Sequence, residues 1–191
     1  MIEARAMQWA VAIVVALGRG LCVAAPAACG AAHGSPCATI QSADETSQRA
    51  VPDLVVPVAG IKRKSLRDTF VEDRGGRPHE ALDIPAPRGT PVIAAAAGRI
   101  VKLFKSAPGG LSIYQYDAGE RHALYYAHLD RYADDVHEGM AVAPGHVLGY
   151  VGTTGNAPPN VPHLHFALFR LGPRKEWWKG TPVNPFPLLR D

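Results

Sequence analysis

Apolar and polar residues alternate with a period of two over residues 111–116, and this pattern predicts a half-buried strand. Residues 117–120 follow as a turn, and a second strand is predicted to start at residues 123–126. A Pro-Gly turn separates two predicted strand segments within residues 142–152. A further strand is predicted at residues 164–168, and residues 54–58 open the folded part. The chain therefore has the pattern of many short strands joined by turns.

Residues 91–101 are ambiguous, because their alanines favour a helix. Pro91, the interior Gly98 and the Val and Ile residues at both ends favour two strands broken by a bend. The sequence contains no long amphipathic helix, heptad or internal repeat. The 19 Gly and 17 Pro residues recur throughout the chain at expected turns. The sequence therefore predicts a mainly β fold, an antiparallel β-sandwich or barrel-like sheet with short loops and little helix.

The composition is that of one globular domain with an apolar leader. The chain has 191 residues, enough for one core, of which 47% are hydrophobic and 19% charged. The formal net charge of +3 would favour an anionic polymer without requiring nucleic acid. The sequence has no basic stripe interleaved with aromatic residues, so we expect no nucleic-acid partner.

Residues 1–27 have the features of an export signal. Arg5 supplies positive charge, residues 6–17 are mostly apolar, and Ala25-Pro26-Ala27 provides a cleavage site with small flanking residues. The apolar run is too short to span a bilayer, so no stable membrane span is expected after cleavage. An uncleaved N-terminal anchor and a true start at Met7 are the alternatives.

Residues 28–52 are rich in Ala, Ser, Thr, Gln and Pro without an apolar period, which predicts a linker or loosely ordered arm before a folded domain at residues 53–191. All cysteines lie in or just after the leader, namely Cys22, Cys29 and Cys37. Thiol chemistry and a thiolate zinc site are therefore not expected in the folded part. Cys29 and Cys37 could form a disulfide in an oxidising compartment, and a lipid-anchored cysteine is a less favoured alternative.

Imidazole and carboxylate side chains, which zinc accepts as ligands, recur in three separate segments. These segments contain His79 and Asp83, His128, and His163 and His165. In a strand, His163 and His165 would share one face while Leu164 faces the core.

His79 and Asp83 are four residues apart, so both an extended segment and a helical turn would place them on one face. Pro78 and Pro85 bracket them, which favours a loop or strand. Pro85 also weighs against a zincin-type helix in which Glu80 would be the base. Spacing alone leaves open which histidine of the HLH segment binds a metal, and whether His128 comes close to either.

The ordered set of motifs resembles the lysostaphin/LytM-type zinc metallopeptidases of the M23 peptidase family. The similarity runs from about residue 56 to residue 187. It rests on residues 76–84 (GRPHEALDI), 89–92 (GTPV), 126–129 (YAHL), 152–156 (GTTGN) and 162–166 (PHLHF). Ala81 departs from the pattern, since many members carry Gly there, but it lies outside the ligand set.

The resemblance implies that His79, Asp83 and His165 bind one Zn²⁺ ion and that His128 and His163 form the catalytic pair. It also implies hydrolysis of peptide bonds in peptidoglycan stems or cross-links. In such a reaction zinc lowers the pKa of bound water toward about 7, and the histidines transfer protons.

We therefore expect an exported zinc metalloendopeptidase of the periplasm or cell envelope, with secretion as a further option. Its expected partner is the peptidoglycan peptide substrate, and the sequence also allows a regulatory protein that opens the groove. One alternative is a LytM-like non-catalytic activator of another wall hydrolase, and another is a metal- or carbohydrate-binding module. All five ligand and catalytic positions are present, which favours the enzyme.

Several other aromatic residues and histidines have weaker interpretations. Tyr125 and Tyr126 alternate in facing, so one packs in the core, and Tyr126 could line the cleft. Trp177 and Trp178 could contact a glycan, although packing at the rim is the favoured interpretation. The remaining histidines are interpreted as surface or core residues: His33, His122, His137 and His146.

Overall fold

The computed structural model describes residues 52–191. The predictions on the leader, the cysteines, His33 and all but the last residue of the linker lie outside the described residues. Within residues 52–191 the chain forms eleven strands and two 3-10 helices. The strands are β1 Leu54–Val55, β2 Leu82–Pro85, β3 Pro91–Ile93, β4 Gly98–Ser106, β5 Gly110–Asp117, β6 His122–Tyr132, β7 Ala141–Val142, β8 Val147–Val151, β9 His163–Leu171, β10 Gly180–Val183 and β11 Leu189–Arg190.

The architecture is mainly antiparallel β, as the sequence predicts. Nine strands form one sheet along the path β10-β9-β6-β5-β4-β7, to which β2 joins through β9, β8 through β6 and β3 through β8. β1 and β11 form a separate parallel pair. The 3-10 helices, Arg63–Ser65 and Phe186–Leu188, are the only helical elements in the described part, which confirms the prediction of little helix. No helix in that part has the length and apolar character needed to cross a bilayer.

The ambiguous segment at residues 91–101 forms strands, as predicted. β3 ends at Ile93, residues 95–97 bend, and β4 begins at Gly98. The predicted Pro-Gly turn connects β7 and β8, and its Gly145 has a φ of 87°, which glycine adopts without steric cost.

β6 is the central strand, and it changes partners along its length. One edge pairs with β5. The other edge pairs with β9 over residues 122–127 and with β8 over residues 129–132. His128 lies between these two pairings and has a φ of 61°, in the left-handed region. His128 is the extra residue of a β-bulge, and the bulge changes the facing of the side chains that follow it.

The bulge at His128 reverses the alternation of side chains along β6. Tyr126 and Leu129 are both fully buried although they are three residues apart, a spacing that places side chains on opposite faces of a regular strand. Ala127 and His128 both project from the other face, where they line a cleft. The bulge therefore turns His128 away from the core.

β9 divides its side chains between the two faces, as the sequence predicts. Leu164 and Phe166 are fully buried in the core, whereas His165 projects into the cleft. In the sheet register, His165 lies opposite Asp83 of β2 on one side and opposite Ala127 of β6 on the other. Strand pairing thus brings distant sequence segments into one row.

A buried hydrogen-bond network fixes the core side of β6. The Tyr126 hydroxyl donates to Gln115 Oε1 at 2.8 Å and accepts from the Ala95 N–H at 3.0 Å. Burial raises the pKa of Tyr126 well above its usual value, so the hydroxyl remains a donor. The suggestion that Tyr126 lines the cleft is therefore wrong, because its hydroxyl has its partners in the core.

The left-handed conformation of His128 predicts an unusual ranking of two variants. We expect the free energy of unfolding of His128→Gly to exceed that of His128→Ala by about 1 kcal/mol, because glycine adopts a positive φ without the cost that a Cβ imposes. Ala127→Gly is the control, since glycine in a regular strand lowers stability by roughly 0.5–1 kcal/mol relative to alanine. Urea unfolding measures all three. A His128→Gly protein less stable than His128→Ala would contradict the bulge.

Candidate metal centre and catalytic cleft

A tight hairpin leads the chain into the candidate site. The Arg74 N–H donates to the Arg77 carbonyl at 2.8 Å across the glycine pair at residues 75–76. Both glycines have positive φ values, 74° and 86°, as a type I′ hairpin turn requires. The His79 N–H extends the pairing by donating to the Glu72 carbonyl at 2.9 Å. The hairpin thereby fixes the backbone of His79 just before β2.

His79 and Asp83 lie in a loop and a strand, not in a helix. Asp83 belongs to β2, and Glu80 has a φ of 58°, so the chain turns sharply directly after His79. The prediction of a loop or strand is confirmed. The zincin-type helix is excluded, because no helical turn connects the two residues.

Three potential ligand atoms from this segment and β9 converge at one point. His79 Nε2 lies 3.2 Å from Asp83 Oδ1 and 3.1 Å from His165 Nδ1. His165 Nδ1 lies 3.2 Å from Asp83 Oδ1. Among residues 52–191 this is the group of His, Cys, Asp or Glu side chains whose geometry could hold a metal ion.

The triangle of atoms suits a tetrahedral zinc ion. Two ligand atoms at bond lengths of about 2.0–2.1 Å around a tetrahedral ion lie about 3.3–3.4 Å apart, and the observed edges of 3.1 and 3.2 Å are slightly shorter. His79 Nδ1–H donates to the Thr69 carbonyl at 3.1 Å, which orients the ring so that Nε2 faces the other two atoms. The donor set of two imidazoles and one carboxylate therefore fits the metal that the sequence predicts.

Asp83 is held in its ionised form. Burial would raise its pKa, but the hydrogen bonds and charge interactions with His165 and His79 outweigh burial and hold the pKa well below its usual range. A carboxylate that remains ionised is the form that binds a metal.

Arg74 also holds Asp83, and sequence reasoning missed it. Its Nη2 lies 2.7 Å from Asp83 Oδ2 and 3.3 Å from Glu72 Oε2. Oδ2 is thus occupied by the guanidinium, and Oδ1 faces the two histidines. The one local signal in the sequence is the glycine pair after Arg74, which predicts a turn that folds this side chain back toward His79.

His128 and His163 lie next to each other on the same side of the cluster. Their ring centroids are 5.0 Å apart, and those of His128 and His165 are 5.6 Å apart. His163 Nε2 lies 3.7 Å from Asp83 Oδ1, farther than the nitrogens of His79 and His165. The structure therefore brings all five predicted site residues together.

Backbone carbonyls orient both of these histidines. Nδ1–H of His128 donates to the Thr154 carbonyl at 2.8 Å, and Nδ1–H of His163 donates to the Val161 carbonyl at 2.8 Å. In each ring Nε2 is the nitrogen that the carbonyl does not hold. Burial lowers the pKa of His128 to about 4, so this ring is neutral at pH 7.

The loop that supplies the Thr154 carbonyl is fixed against β5 and β6. Thr154 Oγ1 donates to the Leu129 carbonyl at 2.7 Å and accepts from the Leu111 N–H at 2.9 Å. A Cβ on Gly155 would lie 2.3 Å from the Gly110 nitrogen, so only glycine permits this close approach. The GTTGN segment therefore positions the hydrogen-bond acceptor of His128.

The five residues line an open cleft of about 470 Å³. Arg74, Tyr125 and Asn156 also line it, so Tyr125 takes the position considered for Tyr126. The other described histidines lie outside the cleft: His122 is buried against Asp117, and His137 and His146 lie elsewhere in the chain. Their interpretation as surface or core residues agrees with the structure.

Comparison with known sequences gives a family and named relatives. A sequence model described as Peptidase family M23 matches residues 77–185. The L-Ala--D-Glu endopeptidase of Bacillus subtilis is 34% identical over 66% of this chain and 40% of its own length. The DD-carboxypeptidase/endopeptidase Mpg of Neisseria meningitidis is 40% identical over 57% of this chain and 22% of its own. The chain thus spans less than half the length of these relatives.

Solved structures share the fold. The catalytic domain of the antimicrobial peptidase lysostaphin from Staphylococcus simulans is 28% identical, with a TM-score of 0.55 over 65% of this chain and 92% of that domain. Csd3 of Helicobacter pylori is 28% identical, with a TM-score of 0.56 over 72% of this chain and 33% of its own. The family model matches more than half of the chain, including the five predicted ligand and catalytic residues, and the protein belongs to peptidase family M23.

Proposed function

We propose that this protein is an exported zinc endopeptidase that hydrolyses peptide bonds in the stems or cross-links of peptidoglycan. The observation that carries the proposal is the convergence of five groups in one cleft, three as a ligand triangle and two as imidazoles beside it. The names of the Bacillus and Neisseria relatives support the substrate class, since both describe peptidases of D-amino acid peptides. The predicted leader supports export.

In this proposal His79, Asp83 and His165 hold the metal. A zinc ion bound there supplies Lewis acidity, which lowers the pKa of a bound water toward about 7. The Thr69 carbonyl and the Arg74 guanidinium orient His79 and Asp83, as groups behind metal ligands commonly do. His165 is assigned as the third ligand because its Nδ1 is closer to Asp83 Oδ1 than His163 Nε2 is, at 3.2 Å against 3.7 Å.

His128 and His163 handle the protons. A backbone carbonyl occupies Nδ1 of each ring, so Nε2 is the nitrogen that takes a proton from the attacking water. The resulting imidazolium is stabilised through its Nδ1–H by the carbonyl of Thr154 or Val161. It then returns the proton to the leaving amine.

The non-catalytic activator is the second candidate function, and the cleft gives it less support. An activator needs a binding surface but not two oriented bases beside a ligand triangle. Here both bases are held by hydrogen bonds of 2.8 Å and all three ligands are in place.

The direct test is mass spectrometry of fragments released from purified peptidoglycan by the full-length chain. We expect release of peptides in the presence of Zn²⁺, loss of release with 1,10-phenanthroline, and recovery after zinc is added back, because the ligand triangle is needed for the nucleophile. Absence of release by zinc-loaded protein, combined with stimulation of a second wall hydrolase, would favour the activator instead.

His128→Ala separates catalysis from metal binding. We expect it to lower the rate of hydrolysis by about 10²–10⁴-fold, the usual contribution of a general base. The bound zinc, measured by mass spectrometry of the native protein, should remain near one ion per chain, because His128 is outside the ligand triangle. A comparable loss of zinc in this variant would contradict the assignment of roles.

Arg74→Gln tests the group behind Asp83. We expect zinc affinity to fall by about 10–100-fold, because the carboxylate loses the guanidinium that occupies its second oxygen. Arg77→Gln is the matched control, since Arg77 is exposed in the same hairpin and makes no side-chain hydrogen bond among the described residues. Competition with a fluorescent zinc chelator measures both variants. Equal affinities would show that Arg74 does not position Asp83.

A further inference from the structure

We propose that a row of aromatic rings leading out of the cleft binds a pyranose ring of the glycan strand to which the substrate peptide is attached. This inference rests on the proposed function and adds a sugar subsite to it. The aromatic row consists of Tyr125, Tyr114, Trp177 and Trp178, with Phe104 beside Trp177.

The aromatic row begins inside the cleft and continues without a gap. The Tyr125 ring centroid lies 6.0 Å from that of His165 and 4.5 Å from that of Tyr114. Trp177 follows at 4.7 Å from Tyr114, and Trp178 at 5.0 Å from Trp177. A substrate seated at the metal site therefore meets this surface directly if it extends past β6 toward β4.

The outer end of the row is exposed although it is apolar. Trp178 is 61% exposed and Phe104 is 37% exposed, and they are two of the four large apolar side chains exposed within residues 52–191. Exposed aromatic faces next to a binding cleft commonly mark a contact surface.

The loop that carries the two tryptophans is fixed to the sheet. The Tyr116 hydroxyl donates to the Lys175 carbonyl, and Lys175 Nζ lies 3.0 Å from Glu120 Oε2. Trp177 packs on Tyr114 and Phe104. The ring of Trp178 is thus presented by a supported loop, which reduces the entropy cost of binding.

The surface suits a sugar ring better than a peptide backbone. The row crosses β5, whose two edges are already hydrogen-bonded to β4 and β6, so the sheet offers no free backbone edge there for an extended peptide. A pyranose ring needs only a flat apolar face, while its hydroxyl groups point sideways to water. A bilayer is less favoured, because Trp177 is largely covered and one protruding ring is a weak anchor.

The ring-to-ring distances set an upper limit on how far Trp178 lies from the metal site. Four centroid steps of 4.5 to 6.0 Å lead from His165 to Trp178, so the straight separation of these two rings is at most about 20 Å. An extended chain of about five residues spans roughly 17 Å, at about 3.3–3.6 Å per residue. A short stem peptide can therefore occupy the cleft while the sugar at its end reaches the row.

The test compares two substrates with one variant. One substrate is a stem peptide linked to its N-acetylated disaccharide, and the other is the same peptide without sugar. We expect Trp178→Ala to lower the ratio of kcat/KM for the sugar-linked peptide to that for the free peptide by about three- to tenfold, the size of one aromatic stacking contact. Trp178→Phe should recover most of the ratio. Val71→Ala is the control, because Val71 is 78% exposed but lies outside the aromatic row.

A titration with the N-acetylglucosamine tetrasaccharide, followed by indole fluorescence, tests the subsite without any need for hydrolysis. We expect wild type to bind it more tightly than Trp178→Ala. If neither peptide is cleaved, the proposed function fails. The titration still shows whether Trp178 contributes to binding of the tetrasaccharide. An unchanged ratio, or equal affinity of both proteins for the tetrasaccharide, would overturn the inference. Trp178-dependent binding to phosphatidylglycerol vesicles with an unchanged ratio would overturn it in favour of a bilayer.

Discussion

His79 Nε2, His165 Nδ1 and Asp83 Oδ1 lie within about 3.2 Å of one another. The lone pairs of these three atoms repel unless a cation or a proton lies among them. The Asp83 carboxylate is the centre of this arrangement, since Oδ1 faces both histidines and Oδ2 receives the guanidinium of Arg74. The groups come from a hairpin, from β2 and from β9, so none of these elements holds the site alone. An ion bound by the native chain and not by the unfolded chain stabilises the native state by mass action.

The strand pattern, the two faces of β9 and the turn between β7 and β8 could be predicted because each depends on local chemistry. Alternation assigns Leu164 to the core and His165 to the opposite face regardless of what the rest of the chain does. The Pro-Gly turn is equally local. The resemblance to peptidase family M23 then assigned expected roles to residues whose spacing left them undecided.

The position of His128 could not be derived from spacing, because it depends on a bulge. In a regular strand His128 would share the core face with Tyr126, and only the φ of 61° turns it outward. The choice between Tyr125 and Tyr126 was also undecidable from sequence, since it depends on the buried Gln115 that receives the hydroxyl of Tyr126. The contact between Arg74 and Asp83 could not be predicted from the sequence, because it depends on how the hairpin places Arg74 beside β2.

The separation of the ligands along the chain has a consequence for when the centre can form. His79 and His165 are 86 positions apart, and they meet only when β9 pairs with β2. The entropy cost of closing so long a loop is modest, since each doubling of length adds only about 0.6 kcal/mol. A nascent chain that ends before β9 contains His79 and Asp83 but lacks His165. The triangle of candidate ligands therefore cannot form until β9 has been synthesised and has paired with β2, an order that follows from topology alone.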